Sequence, residues 1–348
     1  MKEKVMIGMS GGVDSSVAAL ILKEAGYDCL GATMRLYAGA PGSAQDAADA
    51  AAVAARLGMG HRVFESGADF EMNVIRHFVE TYESGGTPNP CIECNRTMKF
   101  SHMHRLAAEQ GCDKIATGHY ARIDRREDGR WLLKKGQDES KDQSYFLYVM
   151  TQEMLSYTLF PVGELRKDEV RRLAEENGLV SARKRDSQDI CFVPDGDYAS
   201  FICAYTGKDY PAGDFLDENG RVLGRHEGMI RYTVGQRRGL GVSGGKPLYV
   251  CRKCGGDNTI LLTDNERLFS DTLYANRLNL IALDEIREPL RCCARIRYRH
   301  REQPATVIQT GKDSIRVVFD EPQRAITAGQ AVVLYDGDTV IGGGTICG

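Results

Sequence analysis

The sequence predicts an α/β protein in three parts: an N-terminal doubly wound parallel sheet, a small mainly-β central domain, and a C-terminal β-barrel. Three observations carry that prediction. Strand and helix signals alternate through the first ~200 residues, the pattern of βα units wound on a parallel sheet. Beyond about residue 205 helical periodicity disappears, glycine becomes frequent and short alternating segments take over. The length of 348 residues also exceeds what one hydrophobic core usually serves. Domains are accordingly expected at 1–204, 205–273 and 274–348.

In the first part, Lys4–Met9 is an apolar strand and Asp14–Ala25 a helix stopped by Gly26. Asp28–Leu36 is the second strand. Ser43 can N-cap the alanine-rich run Gln45–Leu57, and Gly58 can end it. His61–Glu65 reads as a third strand and Asp69–Glu83 as an amphipathic helix. After the Gly/Pro-rich break Gly85–Pro90, a helix is expected from about Asn95 to Gln110. Lys114–Gly118 is a short strand, and Arg122–Lys135 a hairpin turning at Asp128-Gly129. Gln143–Tyr157 and Lys167–Asn177 read as helical, with Gly178 as a stop. The second part offers short strands at Arg221–Leu223, Met229–Tyr232, Leu248–Arg252 and Ile260–Thr263. After a polar stretch near 264–275 come Arg291–Tyr298, Ala305–Gln309, Ser314–Phe319, Ala331–Tyr335 and Thr339–Thr345, whose turn signals indicate the barrel. No internal repeat or low-complexity segment is present.

Hydrophobic content of 42% and charged content of 27% are those of a soluble globular chain. No apolar run approaches the ~20 residues that span a bilayer. No secretory n-region and h-region precede the first strand. A cytoplasmic protein without a membrane partner is therefore expected. Eleven cysteines in that compartment argue against a disulfide framework and for thiol chemistry. They group as Cys91-x-x-Cys94, Cys251-x-x-Cys254 and Cys292-Cys293, with Cys191 in a polar loop. The net charge is −3, yet residues 221–253 hold eight Lys/Arg against Glu227 alone, and residues 291–301 hold five Arg and no acid. Charge of this kind is either a solvated surface or a phosphate-binding face.

Between the first strand and helix lies Ser10-Gly11-Gly12-Val13-Asp14-Ser15-Ser16. Two glycines let backbone amides close on phosphate oxygens, and hydroxyls and a helix N-terminus follow. A Walker loop would end in lysine; this one has none. An empty β-to-α turn is the bland alternative. The flanking Val5-Met6-Ile7 and Val17–Leu22 supply the strand and helix that favour ATP.

Thr87-Pro88-Asn89-Pro90-Cys91-Ile92-Glu93-Cys94-Asn95 is the second informative segment. Two prolines stiffen the chain around Asn89. Cys94 is expected at a helix start, where the dipole favours thiolate. C-x-x-C is also half of a zinc site, but no second half lies nearby. The third segment is Asp186-Ser187-Gln188-Asp189-Ile190-Cys191-Phe192, preceded by Arg183-Lys184-Arg185. These cations are expected to make an electropositive loop that stabilises thiolate or persulfide at Cys191, which alone would more often be a buried small hydrophobe.

The strand, Ser-Gly-Gly-x-Asp-Ser, helix unit resembles the PP-loop ATP pyrophosphatases, which cleave ATP between the α- and β-phosphates and adenylate a carbonyl oxygen. Within them, the chain is similar over nearly its whole length to the tRNA-specific 2-thiouridylases. The strings that carry this include Gly31-Ala32-Thr33-Met34, Thr87-Pro88-Asn89-Pro90, Ala116-Thr117-Gly118-His119-Tyr120 and Lys141-Asp142-Gln143-Ser144-Tyr145-Phe146. They continue through Leu159-Phe160-Pro161-Val162-Gly163, the Cys191 loop, Gly235-Gln236-Arg237-Arg238-Gly239-Leu240-Gly241, Arg297-Tyr298-Arg299 and Ala328-Gly329-Gln330.

The resemblance implies ATP-dependent 2-thiolation of the wobble uridine of tRNA. It assigns the ATP phosphates, with Mg²⁺, to Gly8, Met9, Ser10, Gly11, Gly12, Val13, Asp14 and Ser15, and the adenosine side to Met34 and Gly118. It assigns tRNA contacts to Asn89, Pro90, Cys91, His119, Lys141, Asp142 and Gln143, and in the C-terminal domain to Arg297, Tyr298 and Gln330. Cys94 matches the family nucleophile and Cys191 the persulfide carrier, loaded by an upstream sulfur donor. The C2 oxygen of uracil leaves poorly until adenylated. The persulfide sulfur, or sulfide released when Cys94 attacks the persulfide, then displaces AMP. A transient Cys94–Cys191 disulfide results and is reopened by reductant. The target base must leave its stack, and a monomer that pairs transiently with its donor is expected.

Many relatives carry Asp at the position of Cys91, so that carboxylate's role is in doubt here. Cys91, Cys94 and Cys191 with one open position also match the ligand set of a [4Fe–4S] cluster. Cys251 and Cys254 have no family counterpart. Two other readings stay open: a PP-loop activator that uses nitrogen as the attacking atom, and an RNA-binding protein with a regulatory nucleotide loop.

Overall fold

A computed structural model of the chain describes residues 2–37, 43–182, 184, 190–242 and 245–347. The first strand, β1 (Lys4–Gly8), has Val5, Met6 and Ile7 fully buried, as a strand covered on both faces requires. Its side chains alternate between two cores. Val5 and Ile7 face the helices Val13–Glu24, Ser43–Arg56 and Lys167–Glu176, whereas Met6 faces a helix over 90–109. The other strands of this region are β2 (Asp28–Arg35), β3 (Gly60–Glu65), β4 (Lys114–Ala116), the hairpin β5 (Ala121–Arg125) and β6 (Trp131–Lys135), and β7 (Thr158–Leu159). One all-parallel sheet forms in the order β3-β2-β1-β4-β7. The order reverses between β1 and β4, so the crevice beyond their C-terminal ends is the topological switch point.

The helix expected from Asn95 starts instead at Pro90, with Asn89 at its N-cap. Proline has no N–H to leave unpaired at a first position and a preset φ, so the chain turns helical there. Its middle, Cys94–His102, is wound as a π-helix. A preceding helix over 67–83 carries a shorter π segment at Glu71–Ile75. The stretch expected as one helix over 143–157 divides into Ser144–Leu147 and Gln152–Ser156, the second capped by the Thr151 side chain. The side chain of Ser43 and residues Arg183, Arg185 and Asp186-Ser187-Gln188-Asp189 lie outside what is described.

Helix Tyr198–Thr206 packs with Phe192 and Val193 against the 67–83 helix. Beyond it, β8 (Gly213–Leu216), β9 (Val222–His226), β10 (Tyr249–Cys254) and β11 (Thr259–Thr263) form a small sheet in the order β10-β11-β8-β9 around Phe215, Val250, Ile260 and Leu262. The strand expected at Met229–Tyr232 is a 3₁₀ turn, Met229–Arg231, entered through the positive φ of Gly228.

The barrel runs β12 (Phe269–Leu280), β13 (Leu290–Arg295), β14 (Gln303–Gly311), β15 (Ser314–Arg324), β16 (Ala331–Asp336) and β17 (Thr339–Ile346). Its order is β12-β15-β14-β13-β16-β17, closed by β12 pairing with β17. Strand β12 corrects two expectations. It occupies part of the stretch read as polar, because only Leu273 and Ala275 point inward there, and it runs through the expected 273/274 boundary. The hairpin β5–β6 joins this sheet through Lys134 and Leu133 opposite Thr339 and Val340. Barrel residues Ile281, Ala331, Val333, Tyr335 and Val340 share one buried core with Tyr145, Tyr148 and Phe100 of the first domain. Among the described residues, no helix is long and apolar enough to cross a membrane.

Candidate active site

The loop after β1 is shaped by close approaches. Gly11 has φ +71°, and a Cβ there would sit 2.4 Å from the Asp46 carbonyl oxygen, so only glycine lets the loop pass the Ser43–Arg56 helix. Gly12 is the N-cap of the Val13–Glu24 helix and brings no side chain to its first-turn amides. Ser15 Oγ and Ser16 Oγ donate to the Gly12 carbonyl at 3.2 and 2.8 Å, and Ser15 Oγ accepts from the Ser10 amide at 3.3 Å. Gly118, just past β4, lies against this loop: a Cβ on it would stand 2.6 Å from Asp14 C and Ser15 N. Met9 is fastened to β2 by its amide on the Ala32 carbonyl at 2.8 Å, and Met34 lies half-buried next to the last residue of the same strand. Gly8 closes β1 beneath Met103.

The lysine that the motif lacks arrives from elsewhere. Lys167 Nζ donates to both Asp14 carboxylate oxygens at 2.7 and 2.9 Å, and Tyr120 Oη donates to Asp14 Oδ1 at 2.7 Å. Lys184 Nζ bonds Asp46 and Asp49 at 2.6 and 2.9 Å and approaches the Gly11 carbonyl at 3.3 Å. Two lysines thus border the loop, each held in place by carboxylates, Lys167 by Asp14 and Lys184 by Asp46 and Asp49. Lys167 carries no sequence signal, since its segment lies far along the chain, and the basic run that holds Lys184 points to Cys191 and not to this loop.

The thiols gather on the other side of the 90–109 helix. Cys94 shares an apolar cluster with Phe70, Phe78, Met98, Phe192 and Val193, which fastens the chain around Cys191 beside it. Cys91 and Cys191 expose surface to solvent. Burial pushes the Cys94 thiol up to about 12, and the neighbouring Cys191 and Cys91 push in the same direction. Burial also raises Cys91 and Cys191. The helix-start effect expected to activate Cys94 is therefore outweighed: the helix begins four residues earlier, and desolvation exceeds a dipole contribution of at most about 2 kcal/mol. Nor does the Cys191 loop draw on Lys184, whose ammonium is held by Asp46 and Asp49. All eleven cysteines are free thiols.

A chain of contacts runs from the loop to Lys99, whose charge reaches the thiols. Thr117 and His119 flank Gly118; His119 Nδ1 lies 2.7 Å from Thr117 Oγ1, and its Nε2 3.3 Å from Lys99 Nζ. An ammonium only donates, so Nε2 accepts and Nδ1–H donates to threonine. Burial, then the Lys99 charge, holds His119 well below its ordinary value, which keeps it neutral. The Lys99 charge in turn favours the thiolate at Cys91, Cys94 and Cys191.

Comparison with known proteins covers nearly the whole chain. Residues 3–195 match the tRNA methyl transferase HUP domain, 199–264 the tRNA methyl transferase PRC-barrel domain, and 270–346 the aminomethyltransferase beta-barrel domain. The tRNA-specific 2-thiouridylase MnmA of Clostridioides difficile is 48% identical over 99% of this chain and 98% of its own length. Its namesakes in Lachnoclostridium phytofermentans and Acetivibrio thermocellus are each 48% identical over 99% of both chains. The chain belongs to the tRNA-specific 2-thiouridylase (MnmA) family.

Several residues that the MnmA resemblance assigned to tRNA are used inside the protein. Asp142 is 5% exposed and accepts from the Gly136 and Ser144 amides and the Ser144 hydroxyl. His119 is buried between Phe100 and Phe160. Gln143 Oε1 accepts from the Tyr120 amide at 3.0 Å. Gln330 Nε2 donates to the Thr87 carbonyl at 2.9 Å, bracing the Asn89-Pro90 turn from the barrel. Arg297 donates to the Arg324 carbonyl, and the Tyr298 ring lies 4.4 Å from that of Phe146. Arg295 bridges the two regions, 3.7 Å from Asp142 and over the Tyr298 ring. Lys141, Asp142 and Gln143 are thereby brought to the Arg297-Tyr298 end of the barrel. Asn89 is half-buried beside His77 and Glu93, and Pro90 is buried.

The cluster expected at Cys91, Cys94 and Cys191 is not supported. Among the described residues no three His, Cys, Asp or Glu side chains converge as ligands for a metal ion. Cys94 is enclosed by apolar side chains while its two neighbours open to solvent. Cys251 and Cys254 both lie on β10 and form no such set either.

Proposed function

We propose that this MnmA-family chain 2-thiolates the wobble uridine of tRNA at the expense of ATP, as an ATP-consuming tRNA-uridine 2-sulfurtransferase. The observation that carries this reading is the unbroken path from the glycine loop, through Gly118 and His119, to Lys99 and the three thiols. Activation and sulfur delivery need one site, and this path supports reading them as neighbours. The names borne by the relatives point the same way.

MgATP enters as substrate, its phosphates against the amides of Gly8–Ser15 and the two bordering lysines, its adenosine toward Met34 and Gly118. The uracil C2 oxygen attacks the α-phosphorus and pyrophosphate leaves, which converts that oxygen into part of a good leaving group. Cys191 carries the sulfur as Cys191–S–SH, received from an upstream donor. Cys94 thiolate attacks Cys191 Sγ, forming the Cys94–Cys191 disulfide and expelling hydrosulfide. The Cys94 sulfur is oxidised and the outer sulfur is reduced, while Cys191 Sγ exchanges one S–S bond for another. Hydrosulfide adds to C2 and AMP departs with the original oxygen. An external thiol reopens the disulfide. The basic segments 221–253 and 291–301 meet the tRNA backbone, so affinity for tRNA falls steeply with added salt.

The test is incubation of the purified protein with unmodified tRNA, MgATP and sulfide, with nucleosides resolved by mass spectrometry. AMP, pyrophosphate and 2-thiouridine in equal amounts are expected. AMP without thiouridine would mean that another nucleophile is used, and neither product would leave only an RNA-binding protein.

A further inference from the structure

The π-winding from Cys94 to His102 changes which side chains share a face. In an α-helix, residues i+3 and i+4 sit over residue i, and i+5 points away. A π-helix closes its hydrogen bonds between i and i+5, which draws the fifth residue back over the first; such segments are frequent at functional sites. Counting from Cys94, the fifth residue is Lys99. Among the described residues no carboxylate lies within ion-pair distance of its ammonium, whose bonding partner is the neutral imidazole of His119. Among the described residues this cation thus has no carboxylate partner, and its charge acts on all three thiols. Burial works against the anionic form of each thiol, and Lys99 works for it.

We propose that Lys99 is the positioning residue for anionic sulfur: the π-winding holds its ammonium over the thiol cluster, where it stabilises Cys94 thiolate and the hydrosulfide that leaves the Cys191 persulfide. This rests on the thiolation reading and adds to it the group that favours the charged form of sulfur against the pull of burial. His119 fixes Lys99 from the nucleotide side. Its Thr117 bond ties that arrangement to the segment lying on the ATP loop, so the cation stands between the activated base and the sulfur.

Lys99→Met and Lys99→Arg test it through two readouts. The first needs no tRNA: alkylation of Cys94 and Cys191 by iodoacetamide at neutral pH, followed by peptide mass spectrometry. Lys99→Met should slow it by about tenfold or more, since loss of a close cation costs a thiolate about a pKa unit, and Lys99→Arg should restore most of it. The second separates the half-reactions. Lys99→Met should release pyrophosphate within about threefold of wild type while forming thiouridine more than about tenfold slower, again with rescue by arginine. Unchanged alkylation in Lys99→Met overturns the proposal. So does equal loss of both half-reactions without arginine rescue, the mark of a merely structural lysine. If wild type alkylates as described, with the expected response to Lys99→Met, yet never thiolates tRNA, the thiolation reading fails and the role of Lys99 toward the thiols stands.

Discussion

Cys94 illustrates how burial and activation compete at a single atom. The thiol lies inside an apolar cluster and is held near 12, so at neutral pH it is almost wholly protonated until something changes its surroundings. The expected pH response follows directly. Thiouridine formation in single turnover rises with pH through neutrality into the alkaline range, because each step adds thiolate; a flat profile would mean that tRNA binding, and not this thiol, limits the rate. Cys94→Ala and Cys191→Ala should each depress thiouridine formation by more than ~10³-fold while pyrophosphate release persists, the behaviour of lost nucleophiles in an intact nucleotide site. Both cysteines were legible in the sequence, since polar or proline-bound neighbours set them apart. Their thiolate character was not, because it depends on how many apolar side chains close over each sulfur. Lys99 and Lys167 were likewise illegible, each an ordinary lysine until the fold brings it to its partners, while the basic run holding Lys184 pointed to Cys191 and the fold pairs that lysine with Asp46 and Asp49 instead.

Among the elements, the loop and the segment behind it act as one unit. Gly118 lies so close to Asp14 and Ser15 that a methyl group must displace backbone. Gly118→Ala should weaken ATP binding by about tenfold or more and cost about 1–3 kcal/mol of stability, measured by nucleotide titration and urea unfolding. Unaltered affinity would place the nucleotide elsewhere. The sheet and most barrel strands could be read from period-two and βα patterns, which report burial on one or both faces. Strand β12 could not, because only two inward side chains mark the expected polar stretch. The start of the 90–109 helix was missed for another reason: Pro90 reads as a breaker but works as a first helical residue. π-winding leaves no periodic signature over nine residues.

Across the molecule, the barrel is built into the thiol site. It shares a core with the first domain, Gln330 holds the Thr87-Pro88 carbonyls, and Arg277 reaches buried Glu93 between the two cysteines of the helix at 3.0 Å. Removing that partner leaves Glu93, among the described residues, with the longer contacts of Arg96 and His77. Arg277→Ala should therefore destabilise the protein by about 1–3 kcal/mol in urea titration. The central domain is fastened by Lys253, which donates to the Gly86 and Tyr232 carbonyls over the Tyr82 ring. Burial lowers this amine to about 8. Between that value and the unfolded lysine's ~10.4, the unfolded chain binds more protons, so the stability from this group rises with pH. Measured against Lys253→Met, wild type should gain about 2 kcal/mol between neutral pH and about pH 10; a constant difference would mean the amine is solvated.

The proposed function stands on one ATP loop and one pair of distant cysteines forming a single sulfur-transfer site. A single turnover tests it most directly. Protein persulfidated at Cys191 is mixed with unmodified tRNA and MgATP without reductant, then mapped under non-reducing conditions. The account predicts one 2-thiouridine and one AMP per persulfide, together with a Cys94–Cys191 disulfide. Thiouridine formed with Cys94 still reduced, or with a disulfide to another cysteine, would contradict it.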